Sequence, residues 1–198
     1  MSLKTIVAVL TMTAAIPVFS QVVPSATNGG TQFKVGAGFS AYEGGLNNGR
    51  LKGGALWVDI NSTRLPPFLH GWGLEAEARG VQVGQTSPDE QGAFRQATAG
   101  GGPMYTYLRF PRFHPYAKFV INYAGQSFNI GYKGYDFEKQ IAYAPGGGLE
   151  YQVFPRLWAR VDYEYQIWPN PFGNPNWFLD PEGITVGLAW DLKPLHRH

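Results

Sequence analysis

From Gln32 to Ala41 the chain alternates strictly. Phe33, Val35, Ala37, Phe39 and Ala41 occupy one parity, and Gln32, Lys34, Gly36, Gly38 and Ser40 the other. A period of two is the spacing of a β-strand with one apolar face. The same pattern returns along the chain. Leu56, Val58 and Ile60 alternate with Ala55, Trp57, Asp59 and Asn61, and Trp72, Leu74, Ala76 and Ala78 with Gly73, Glu75, Glu77 and Arg79. A fourth strand is expected from about Arg95 to Phe110, where Gly100 to Pro103 interrupt it and suggest a bend. The fifth places Ala117, Phe119, Ile121 and Tyr123 opposite Tyr116, Lys118, Val120 and Asn122. In the sixth, Ile141, Tyr143, Leu149, Tyr151 and Val153 face away from Ala142, Ala144, Gly146, Gly148, Glu150 and Gln152. The seventh sets Leu157, Ala159, Val161, Tyr163, Tyr165 and Ile167 against Trp158, Arg160, Asp162, Glu164 and Gln166. The eighth sets Ile184, Val186, Leu188, Trp190 and Leu192 against Thr185, Gly187, Ala189 and Asp191.

Before these strands lies one continuous apolar stretch, Ile6 to Ile16, behind Lys4 and ahead of Val18, Phe19 and Ser20. It reads as an export signal cleaved after Ser20, being shorter than the roughly 20 residues a spanning helix needs. The expected organisation is a signal peptide over 1–20, a linker over 21–31, a barrel over 32–192 and a tail over 193–198. With no further apolar run, entry into a membrane requires a closed barrel, in which neighbouring strands satisfy each other's backbone groups.

Alternation does not say which face points inward. Size does: one face mixes Gly and Ala with Glu, Arg, Lys and Asp, whereas the other carries large aliphatic and aromatic side chains. About eight strands enclose little space, so the bulky face is expected toward lipid and the small, charged face inside. The fold class is therefore all-β, a transmembrane antiparallel up-and-down barrel of about eight strands. Short links at Arg64 to Leu69, Pro111 to His114 and Phe154 to Arg156 are expected on the periplasmic side. The links at Glu43 to Gly49, Gly84 to Phe94, Gly125 to Lys139 and Pro169 to Glu182 are expected outside.

Composition changes this picture little. The chain has 198 residues, no Cys, 26 Gly, 15% charged residues and a formal charge of +2. Thiolate metal sites and disulfides are excluded, and no basic field exists to gather nucleic acid.

Five segments carry a family resemblance: GGP from Gly101, HPYAKFV from His114, PGGGLEY from Pro145, PRLWARVDY from Pro155 and GITVGLAW from Gly183. Together they resemble the bacterial outer-membrane β-barrel domain family, small barrels similar to the membrane domain of outer membrane protein A. The resemblance covers nearly all the mature chain. It implies residence in the bacterial outer membrane, with outer-membrane lipid and the barrel assembly machinery as partners and a surface ligand left unspecified. Barrels of this kind often finish on an aromatic that assists assembly. Here Trp190 is followed by Leu192 and the 193–198 tail.

Candidate chemistry is sparse. Glu75, Glu77, Arg79, Lys118, Glu150, Arg160, Asp162 and Glu164 share the inward parity, and buried charges demand partners. The favoured reading is an internal network that plugs the barrel; the alternative is a narrow polar pore. A lipid-modifying enzyme would need Ser and His together near the outer interface. Ser40, Ser87 and Ser127 are the candidates for the first, but His70 and His114 fall by periplasmic turns and His196 and His198 in the tail, so no catalytic residue is assigned. No metal site or cofactor is expected, since two tail imidazoles lack adjacent acids. Trp168, Phe172, Trp177 and Phe178, in a Pro-rich outer link, form the best candidate binding surface. Their competing role is an aromatic belt at the membrane interface. The expected function is structural, adhesive or surface-interacting and non-enzymatic. A soluble secreted barrel holding a ligand is the remaining alternative.

Overall fold

The computed structural model describes residues 31–44, 50–62, 66, 69–83, 94–129, 135–169 and 178–192. Eight long strands form a closed antiparallel barrel: β1 (Thr31–Glu43), β2 (Arg50–Ser62), β3 (Trp72–Val83), β4 (Phe94–Thr106), β5 (Phe113–Asn129), β6 (Tyr135–Phe154), β7 (Leu157–Tyr165) and β10 (Glu182–Asp191). Each pairs with its sequence neighbour, and β1 closes onto β10 from Lys34↔Asp191 to Glu43↔Glu182. Two short pieces, β8 (Trp168–Pro169) and β9 (Phe178–Leu179), pair with each other between β7 and β10. The expected signal segment 1–20, most of the linker and the tail lie outside the described residues.

The facing follows the size argument. Phe39, Leu56, Leu74, Ile121, Ile184 and Leu188 are exposed on the barrel's outer wall, while Lys34, Asp59, Glu75, Arg160 and Glu164 are buried within. In water such a surface would be a large apolar patch, but against hydrocarbon it is the favourable face. The size rule has exceptions. Tyr42, Trp57, Tyr116, Trp158 and Trp168 also point inward and are buried. Small inward residues give them space: a Cβ at Gly36 would strike the Trp57 ring and one at Gly148 would lie 2.7 Å from the Tyr116 hydroxyl, while Trp158 packs with Ala189 and Trp168 with Ala124 and Ala142.

Three boundaries differ from expectation. The Gly100–Pro103 stretch does not break β4; the strand runs through it, ends at Thr106, and loses only its pairing to β5 beside Pro103. Proline has no N–H to donate there. The link expected over Gly125 to Lys139 is largely hairpin, since Gly125 pairs with Lys139 and the ladder continues to Asn129↔Tyr135. Strand β7 ends at Tyr165, although Ile167 makes an isolated bridge to Tyr143.

One end of the barrel, the turn end, carries the tight turn at Pro155 and Arg156 and the Gly71 corner. Gly71 adopts φ 96°, open to a residue without Cβ, and its carbonyl accepts from Thr106 N at 2.7 Å. Trp72 and Tyr105 pack there at 5.4 Å, and Phe110 lies between Tyr107 and Phe113 at 5.8 and 6.0 Å. These rings form an aromatic girdle of the kind found at membrane interfaces. The opposite end is the loop end.

Candidate functional site: the charged interior and its mouth

Strand alternation sends every second side chain inward, so each wall strand contributes a file of interior residues. The file from β7 runs the length of the barrel: Trp158, Arg160, Asp162, Glu164 and, beyond the strand end, Gln166 and Trp168, all buried.

Lys118 of β5 sits where four carboxylates converge. Its Nζ lies 2.8 Å from Glu75 Oε1, 2.7 Å from Glu77 Oε2, 3.1 Å from Asp162 Oδ1 and 3.0 Å from Glu164 Oε2. The inward position Gly146 leaves it room, since a Cβ there would come within 3.2 Å of the Lys118 stem. Arg160 spans the next gap, 2.6 Å from Glu75 Oε2 and 3.3 Å from both Asp59 Oδ2 and Asp162 Oδ2. Arg79 donates to both oxygens of Glu164, at 2.7 and 3.2 Å, and lies 3.4 Å from Glu77. Lys34 pairs with Glu150 nearer the turn end. Two guanidiniums also rest on rings, Arg79 on Tyr42 at 4.5 Å and Arg160 on Trp57 at 4.8 Å and Tyr116 at 4.5 Å. Such stacking is strengthened where water is excluded.

Neutral donors satisfy part of the remaining acidity. The Tyr116 hydroxyl donates to Asp162 at 2.5 Å and Gln166 Nε2 to Glu164 at 2.7 Å. Trp168 Nε1 then donates to Gln166 Oε1 at 2.7 Å, extending the chain of bonds to the loop end. There Trp168 packs with Ala124, Ala142 and Leu179 and is fully buried.

The eight charged residues singled out by parity all meet in this interior. Sequence reasoning missed Lys34, Asp59 and Asp191, which are buried beside them. The signal was present: Lys34 follows Phe33, and Asp59 falls between Val58 and Ile60, so both obey the same alternation. The aromatic group divides. Trp168 is no surface residue but an inward stopper, because it sits on the inward file of β7 opposite Ala142. Phe178 is exposed by 64%, and Phe172 and Trp177 lie outside the described residues.

His70 and His114 both belong to the turn end, where His114 packs against Trp158 at 4.6 Å. Ser40 shares a hydrogen bond of 2.7 Å with Thr185, and Ser127 stands near the loop end of β5. Neither serine is brought beside an imidazole of the turn end. Ser87, His196 and His198 lie outside the described residues. Among the described residues no cluster of His, Asp and Glu could hold a metal ion.

The sequence matches the model of the Outer membrane protein beta-barrel domain over residues 6–191. No curated protein matches it. Among solved structures, Neisserial surface protein A is similar with a TM-score of 0.60 at 15% identity, covering 81% of this chain and 98% of that one. Ail, the attachment invasion locus protein of Yersinia pestis, in complex with the heparin analogue sucrose octasulfate, gives 0.56 at 14% identity over 84% of this chain and 100% of its own. The outer membrane protein OprG from Pseudomonas aeruginosa gives 0.52 at 12% identity, over 84% and 98%. At such identities the likeness is one of fold.

Proposed function

Because this chain belongs to the outer membrane protein β-barrel domain family and resides in the bacterial outer membrane, we propose that it works at the cell surface as a closed, non-enzymatic interaction barrel. The observation that carries this reading is the filled interior. Ion pairs centred on Lys118 and Arg160 occupy its middle, and Trp168 stops the loop end. An eight-stranded wall is just wide enough for side chains to fill. What remains available to partners is the exterior.

The loop end is the external one, by the rule that outer-membrane barrels turn tightly on the periplasmic side. Strand β5 has 17 residues. At about 3.3 Å per residue and a tilt near 40°, it rises roughly 40 Å against an apolar band of about 25 Å. Its last outward apolar residue among those whose side chains are described is Tyr123, and the β5–β6 hairpin continues beyond it to Asn129 and Tyr135. That overhang and Phe178 form the presented surface. Residues 1–20 serve as the export signal, and the barrel assembly machinery inserts the mature chain.

The test has two arms. Purified full-length chain in planar bilayers is expected to give no steady ion conductance. Sustained conductance, expected to be cation-selective given the acid-rich interior, would replace this reading with a pore. Cells displaying the chain are expected to adhere to an immobilised ligand, heparin being the first probe because Ail was crystallised with an analogue of it. Replacing residues 171–177 with a Gly-Ser segment is expected to weaken that adhesion.

A further inference from the structure

The outer wall carries a recess that the surface reading does not use. Near the loop end, Lys52, Gln82, Arg95 and Ser127 lie directly opposite one another across four strands, through Lys52↔Gln82, Gln82↔Arg95 and Arg95↔Ser127. All four are on the lipid-facing parity, since their neighbours Leu51, Val81, Gln96 and Gln126 are buried inside. One row nearer the membrane centre, the facing residues are Gly54↔Gly80, Gly80↔Ala97 and Ala97↔Gly125. Below them the wall turns apolar with Leu56, Ala78, Ala99 and Tyr123.

The consequence is a trough. Small residues set the wall back under a rim of polar ones, leaving a concavity of about 400 Å³ between Lys52, Gln82, Arg95 and Ser127. Both charged residues of the rim are cationic, and they stand two strand spacings apart, roughly 10 Å. The charge does not form a uniform belt. On the opposite side of the barrel, at the same end, Glu182 of β10 accepts from the Tyr163 hydroxyl of β7 at 2.6 Å, while Glu43 of β1 stands beside the trough's edge, in register with Arg50 of β2. Lysine and arginine commonly extend from an apolar wall toward the interface. Such extension requires no recess beneath the charges, and here Gly80, Ala97 and Gly125 line one, with Gly53 beside them.

We propose that this trough seats the phosphate-bearing headgroup of an outer-leaflet lipid. Arg95 offers the planar fork that matches phosphate oxygens, and Lys52 a compact second charge. Gln82 and Ser127 supply neutral hydrogen bonds between and beside them. The acyl chains descend along Leu56, Ala78, Ala99 and Tyr123, so headgroup and tail each meet matching chemistry.

The test uses the full-length chain in detergent micelles, titrated with diphosphorylated lipid A and followed by native mass spectrometry. Lys52→Gln with Arg95→Gln is expected to weaken binding by roughly thirtyfold, on the scale of two interfacial cations. Gly80→Leu is the steric counterpart. A Cβ at Gly80 meets nothing within 4 Å, so the substitution starts without a clash and sends its side chain into the trough. It is expected to weaken binding while the boiling-dependent gel shift of the folded barrel is unchanged. Lipid A stripped of its phosphates is expected to bind as poorly as wild-type lipid A binds the double variant. Equal affinity for the two lipids, or unaltered binding by either variant, would overturn the proposal. So would competition by inorganic phosphate at the lipid's own concentration, which would reduce the trough to a free-anion site.

Discussion

At the scale of the residue, Lys118 is the centre of the molecule. One ammonium with four carboxylates within 3.1 Å is a contact set that no substitution reproduces, because removing the cation leaves like charges buried together. Lys118→Met is expected to destabilise the folded barrel by about 3–5 kcal/mol, the range for breaking a buried pair by deleting one partner. Urea unfolding of the chain refolded into vesicles reads this directly. Gly148→Ala probes the same centre from the wall. Its new methyl would strike the Val161 carbonyl oxygen of β7 and meet the Tyr116 hydroxyl at 2.7 Å, pressing β7 away, displacing the donor from Asp162 and lowering stability by about 1–3 kcal/mol, as overpacking does. Parity alone identified Lys118 as interior, but it gave no reason for four acids to choose it. That follows from length: a lysine opposite the glycine file of β6 can reach the axis, where carboxylates from β3 and β7 also end.

Among elements, β3 reports the depth of the membrane. Its outward residues run from Trp72 at the aromatic girdle through Leu74, Ala76 and Ala78 to Gly80 and Gln82 at the loop end. Arginine at Ala76 is expected to cost about 2–4 kcal/mol, and at Gln82 about 0–1 kcal/mol, because the penalty falls from midplane to interface. Equal penalties would show that the apolar band extends beyond the row of Lys52 and Arg95. The strands themselves were legible because alternation is a local property. Their ends were not. Gly125 to Lys139 carries polar and glycine-rich sequence that reads as a link, yet it pairs as a hairpin, since above the lipid a strand no longer needs an apolar outer face.

For the whole molecule, the interior replaces the hydrophobic core of a soluble protein. Buried ion pairs are screened far less than surface ones. The urea midpoint is therefore expected to change little when salt is raised from about 0.1 M to about 1 M, although the Debye length shortens from about 10 to about 3 Å. A steep loss with salt would mean that water and ions reach the network. Among the described residues the acids Asp59, Glu75, Glu77, Glu150, Asp162, Glu164 and Asp191 outnumber the cations Lys34, Arg79, Lys118 and Arg160. Neutral donors such as Tyr116 and Gln166 are thus part of the packing.

The sequence by itself determined the closed barrel and its inverted facing. A chain without a second long apolar run can satisfy its backbone in lipid only by pairing strands into a ring, and an alternating file can put its charges only on one side of that ring. Tertiary structure decided the partners. Charges on one parity meet across the axis rather than along a strand, so the convergence on Lys118 depends on the register of β3, β5 and β7 together. The same holds for Trp168, whose aromatic character suggested a surface and whose place in the β7 file made it a stopper. It holds also for the trough beneath Lys52 and Arg95, because no single strand contains it and four must align before their small residues share a row.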